Sequence, residues 1–164
     1  MNENEFTDLE TSKKIAPIME RLGITSETFW INSKILHQEF SLYKRVYHND
    51  SIGIVHYFNI NSGASYNLQL SSLPSMIIIA AFTFQQIWNN LPEWFTTCIK
   101  YWHDVGLNNI LEKRENPIHW IVSYESYQKL CEYYILINKK YLLWGNWLQI
   151  AAEMLLYLEK EGLI

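Results

Sequence analysis

Cys98 and the neighbouring pair His103-Asp104 are the side chains best suited by type to covalent chemistry: a carboxylate can orient an imidazole, and an imidazole can take a proton from a thiol. No family signature surrounds the thiol, and such proximity is common by chance. A small cysteine-dependent enzyme using Cys98 and His103 therefore stands as the alternative reading, not the main one. The histidines, at 37, 48, 56, 103 and 119, never fall at HxH, HExxH or HxxxH spacing with a carboxylate partner, so no zinc site is expected. Glycine-rich phosphate loops, GxSxG and DxDxDG are also missing from the chain, and Glu20, Glu39, Glu93, Glu112 and Glu115 are dispersed among polar neighbours. No cofactor is expected.

Rings are the other candidates for a site. Aromatic residues make up 15% of the chain and charged residues only 18%. Two groups stand out, Trp94, Tyr101 and Trp102, then His119, Trp120 and Tyr124, with Trp88 beside the first. A pocket lined by such rings and a few polar tips would hold a planar or peptide ligand, although core packing should absorb at least half of them.

Charge narrows the partners. Thirteen Lys and Arg stand against seventeen Asp and Glu, for a formal net charge of −4. A nucleic-acid binder draws most of its affinity from a basic excess, so no nucleic acid is expected. The opening MNENEFTDLE is acidic, unlike a signal peptide, and the longest apolar run, Met76 to Phe82, is far too short to span a bilayer. With two cysteines outside any CxxC spacing, the expectation is a cytoplasmic chain with free, buried thiols.

The elements that would position these residues follow from periodicity and caps. Tyr133 to Ile137 and Lys140 to Trp144 read as two strands around an Asn138-Lys139 turn. Asn146 and Gln149 then form a capping box for an amphipathic helix over 147–160, carried by Leu148, Ala151, Ala152, Leu155 and Leu158 and stopped at Gly162. Thr83 and Gln86 cap a short helix over 84–91. Thr7 and Glu10 cap another over 8–22, which Pro17 should bend or split. Ile52 to Ile60 alternates as a strand and turns through Asn61-Ser62-Gly63 into a second, Ser65 to Leu70. A further hairpin is expected from His119–Tyr124 and Tyr127–Cys131, and a helix over Trp94–Asp104. The fold class expected is α+β: a single compact domain over 1–164, with antiparallel strands, a C-terminal β-hairpin and a capped amphipathic helix packed on the sheet.

Residues 11–30, 82–92 and 133–164 carry a resemblance. The opening "SK…LG…ET" segment, the middle "AFTF…IW…LP" helix and the closing "AAEML.YL.K.G.I" helix resemble small uncharacterised phage, prophage and mobile-element proteins of gut anaerobes. That resemblance implies no established activity. It does imply a use in counter-defence, by sequestering a small signalling molecule or blocking a host protein. The reading is thus a non-catalytic cytoplasmic binding or inhibitor protein. Because Ser75 to Phe82 has high β propensity and no charge, a symmetric homodimer through Met76, Ile77, Ile78 and Ile79 is also expected.

Overall fold

The computed structural model describes residues 3–33, 37–49, 53–106, 123–141 and 146–164. The fold is α+β, and its contacts fall into two compact units, Met1–Gln86 and Ile87–Ile164. In the first unit, α1 (Leu9–Arg21) precedes β1 (Thr28–Ser33), β2 (His37–Asn49), β3 (Ile54–Asn59), β4 (Ser65–Gln69), a 3-10 helix at Leu70–Ser75 and β5 (Ile77–Ala81). The strands form one antiparallel sheet in the order β4-β3-β2-β1-β5. α2 (Phe84–Trp88) follows, then α3 (Glu93–Val105), α4 (Tyr124–Tyr141) and α5 (Trp147–Lys160).

Both faces of the sheet are apolar. Ile31, Tyr43, Val55, Tyr57, Leu68 and Met76 pack on one face, with Leu70 and Leu73 of the 3-10 helix against them. Trp30, Leu42 and Ala81 pack on the other with Phe6 and Leu9. The β3–β4 hairpin forms as expected. Asn59, itself buried, turns the chain by accepting the N–H groups of Asn61 and Ser62 at 3.0 and 2.9 Å.

The helix α1 starts one residue later than expected. Asp8, not Thr7, accepts the N–H of Thr11, at 2.7 Å, because the Thr7 hydroxyl is committed elsewhere, to Ser12 at 2.7 Å and to the N–H of Phe82 at 3.1 Å. Pro17 does not split it. Ile15, Ile18 and Met19 are buried on either side of the proline and hold the helix across the one bond it removes. Gly23, at φ +76°, ends it, with Gly23 and Ile24 donating back to Glu20 and Met19. The Thr83–Gln86 capping box is reciprocal: Thr83 N–H donates to Gln86 Oε1 at 2.9 Å, and Gln86 N–H to Thr83 Oγ1 at 3.3 Å.

The expected C-terminal hairpin is corrected. Residues 133–137 lie within α4, and so do Tyr127–Cys131, which were assigned to another hairpin; residues 107–122 and 142–145, and with them Trp144 and Trp120, are outside the described residues. Aromatic and β-branched content suggested strand, but Tyr127, Leu130, Cys131, Tyr134, Ile137 and Asn138 are buried at helical spacing. Ser123 opens this helix by accepting the N–H of Ser126 at 3.2 Å, and Glu125 pairs with Lys129 at 2.9 Å one turn on. The partner of α5 in its own unit is therefore a helix: α5 packs on α4, with Tyr133 stacked on Tyr157 at 4.2 Å. Asn146 caps α5 through the N–H of Gln149 at 3.1 Å, as expected.

Candidate functional site

The first unit holds an open groove of about 490 Å3 between α1 and the β5 side of the sheet. Lys13, Ala16, Pro17 and Glu20 supply the helix wall, because positions 13, 16, 17 and 20 recur on one face of α1. Ala16 and Pro17 are short, which leaves the space. The opposite wall is Phe29, Ile78, Ile79, Ala80 and Phe82, and Thr25, Ser26 and Arg45 add polar groups. Ser26 is buried and fixed, its hydroxyl donating to the Ala81 carbonyl and accepting the N–H of Thr28 at 3.0 Å.

Arg45 is the cation that lines the sheet side of the groove. Its guanidinium lies over the Phe29 ring, 5.3 Å from the centroid, and has no carboxylate partner among the described residues. Phe29 is in turn braced edge-on by Tyr57 at 6.5 Å, and Tyr57 by Tyr43 at 6.4 Å, so the platform beneath the cation is rigid. Burial raises the phenol of Tyr57, which Arg45 opposes; burial also raises Tyr43. Both hydroxyls stay neutral at physiological pH. A guanidinium held over a ring, half-buried beside apolar walls, suits a carboxylate or another planar anion.

The expected aromatic surface is distributed differently. Trp102 is fully buried: its Nε1 donates to the Tyr127 hydroxyl at 2.9 Å, and its ring lies 5.1 Å from Tyr134 and 6.3 Å from Phe95. It is a core residue of the second unit. Trp94 and Tyr101 are half-buried on α3, Trp94 against Phe95 at 5.6 Å, while Tyr124 opens α4 and His119 and Trp120 lie outside the described residues. Of the segment expected at an oligomer interface, Met76 is buried in the sheet core, Ile78 and Ile79 are half-buried, and Ile77 is 58% exposed. Phe29 and Arg45 were missed because each is unremarkable in sequence, and only the pairing of β1 with β2 brings the ring under the cation.

Cys98 and Cys131 are free, as expected, and buried. Burial, with a smaller contribution from the neighbouring thiol, pushes Cys98 up to about 12, and burial likewise pushes Cys131 to about 12. That is the opposite of an activated nucleophile. His103 is exposed, its ring edge-on to Trp147 at 5.4 Å. The native protein is expected to consume no aromatic disulfide reagent at pH 8 on the timescale in which the denatured chain consumes two equivalents. Since the folded thiols hold their protons more tightly than unfolded ones, their contribution to stability is complete below pH about 9 and is lost as pH rises toward about 12. A pH titration of the unfolding midpoint checks the sign.

Among the described residues no group of three or more His, Cys, Asp and Glu converges as a metal site, and no helix is long and apolar enough to cross a membrane. Comparison of the chain with models of protein families, with curated proteins and with solved structures finds no match to any of them.

Proposed function

We propose that this chain is a non-catalytic binding protein whose ligand enters the groove between α1 and β5. The observation that supports this reading most directly is Arg45, held over Phe29 without a carboxylate partner among the described residues, in a space of about 490 Å3 walled by aliphatic side chains. That volume lies in the range of ligand sites, and a few placed polar groups among apolar walls, here Arg45 with Lys13 and Glu20 on the helix side, are how such sites orient what they bind. The buried, fully protonated thiols argue against the cysteine-dependent alternative. Counter-defence, suggested by the resemblance of residues 11–30, 82–92 and 133–164 to phage and mobile-element proteins, is the proposed use: a cytoplasmic inhibitor that blocks a host protein or sequesters a small signalling molecule.

Native mass spectrometry tests the proposal. The chain recovered from its host cell is compared with an Ala16→Trp variant, whose indole fills the groove from a half-buried helix position. An added mass on the wild type that the variant lacks is the expected result. The same added mass on both, with circular dichroism unchanged, would put the ligand elsewhere; an empty wild type would count against the binding role.

A further inference from the structure

The outer edge of β5 is the part of the groove with hydrogen-bonding groups to offer. Along a strand, the N–H and C=O of successive residues turn alternately to one side and the other. Ala81 turns its carbonyl toward Ser26, on the β1 side. Phe82 turns the other way, donating its N–H to Thr7 Oγ1 at 3.1 Å and accepting the Thr7 N–H at 2.9 Å. Ile78 and Ala80 share the parity of Phe82 and so direct their backbone groups away from β1.

The groove follows that edge. Ile78 packs with the Tyr43 and Tyr57 face and Ile79 with the Trp30 and Leu42 face, yet both line the groove, which therefore wraps the margin of the sheet and not one face alone. The opposite margin is guarded: β4 exposes Ser65, Asn67 and Gln69 and ends in the 3-10 helix. β5, Ile77–Ala81, carries neither charge nor proline, the devices that ordinarily discourage strand pairing.

We infer that the ligand is an extended segment of a partner protein, which adds to β5 as a sixth strand with an acidic side chain of that segment set against Arg45. This rests on the groove being the ligand site. Backbone bonds to Ile78 and Ala80 supply sequence-tolerant affinity, alternate apolar side chains of the segment lie along Phe29 and Pro17, and the guanidinium selects the carboxylate. Charge complementarity names the occupant: Arg45 lacks a carboxylate among the described residues, and the groove is open to solvent, so an internal stretch of chain fits without a free end.

The test is a displayed library of random octapeptides panned against the full chain, with Ala16→Trp and Arg45→Gln as counter-targets. Enriched peptides are expected to carry Asp or Glu at one fixed position and apolar residues at alternating ones. A synthetic winner should bind roughly tenfold more weakly to Arg45→Gln, a change worth about 1.4 kcal/mol, and about tenfold more weakly when its acidic residue is replaced by the amide. N-methylation of its amides should abolish binding at every second position only. Failure of the library to enrich on the wild type over the blocked variant would overturn the inference, and so would indifference to Arg45 or to N-methylation. A retained small molecule lost in Ala16→Trp, together with that failure, would leave the groove as the ligand site and remove only the peptide. Light scattering that gave a dimer across the micromolar range, dissociated by Ile77→Lys, would place a second copy of this chain on the edge and overturn the peptide reading.

Discussion

Leu155→Asp is expected to unfold the unit Ile87–Ile164. Leu155 is completely buried on α5, between the equally buried Met154 and Leu158. The substitution removes the apolar burial of a leucine and places an ionisable group where no cation or donor among the described residues is assigned to it. An unpaired buried carboxylate costs several kcal/mol even after it takes up a proton, against a total stability on the order of 5–15 kcal/mol. Loss of the far-ultraviolet helical signal at 25 °C is the readout. A wild-type melting curve would mean that α5 does not pack as described, whereas Leu155→Met, which conserves volume, should cost less than about 1.5 kcal/mol.

Trp102→Ala should destabilise the same unit by about 3–5 kcal/mol. The indole is the largest fully buried side chain among the described residues, and it joins α3 to α4 through the ring of Tyr134 and the hydroxyl of Tyr127. Its removal leaves a cavity and also takes the indole donor from that hydroxyl, whose phenol burial already pushes above its ordinary value. Trp102→Phe loses the hydrogen bond and the smaller ring of the indole but keeps most of the volume, so the difference between the two variants in denaturant midpoint reports the packing of the remaining ring. Because the residue is buried, neither variant should alter the groove of the first unit except by way of global unfolding.

Local signals in the chain were legible where one short stretch contained all of the information. The Thr83–Gln86 box, the Asn146 cap, the Asn61-Ser62-Gly63 turn into β4 and the α3 helix each depend on a few neighbouring residues, and each is present. Strand and helix were confused over Tyr133–Ile137, where β-branched and aromatic residues sit at positions that helical packing buries. The long β2 strand, His37–Asn49, was not separable from its neighbours by pattern, since both faces of the sheet are apolar and strict alternation is blurred. The candidate site was illegible for a related reason. Arg45 and Phe29 come together through cross-strand pairing, which local pattern does not encode, and the conspicuous tryptophan at 102 serves the core instead.

The order β4-β3-β2-β1-β5 has an entropic side. Its first four strands are consecutive in the chain, so three of the four pairings close short loops; the fourth brings β5 back beside β1, tied by Ser26 to Ala81 across 55 residues and by Thr7 to Phe82 across 75. A partly formed sheet, or a nascent chain that has not yet released its first eighty or so residues, holds the meander and the Arg45–Phe29 platform but lacks one wall of the groove. The complete groove is thus a property of the closed sheet alone, and a ligand spanning that closure would draw together the two ends of the unit.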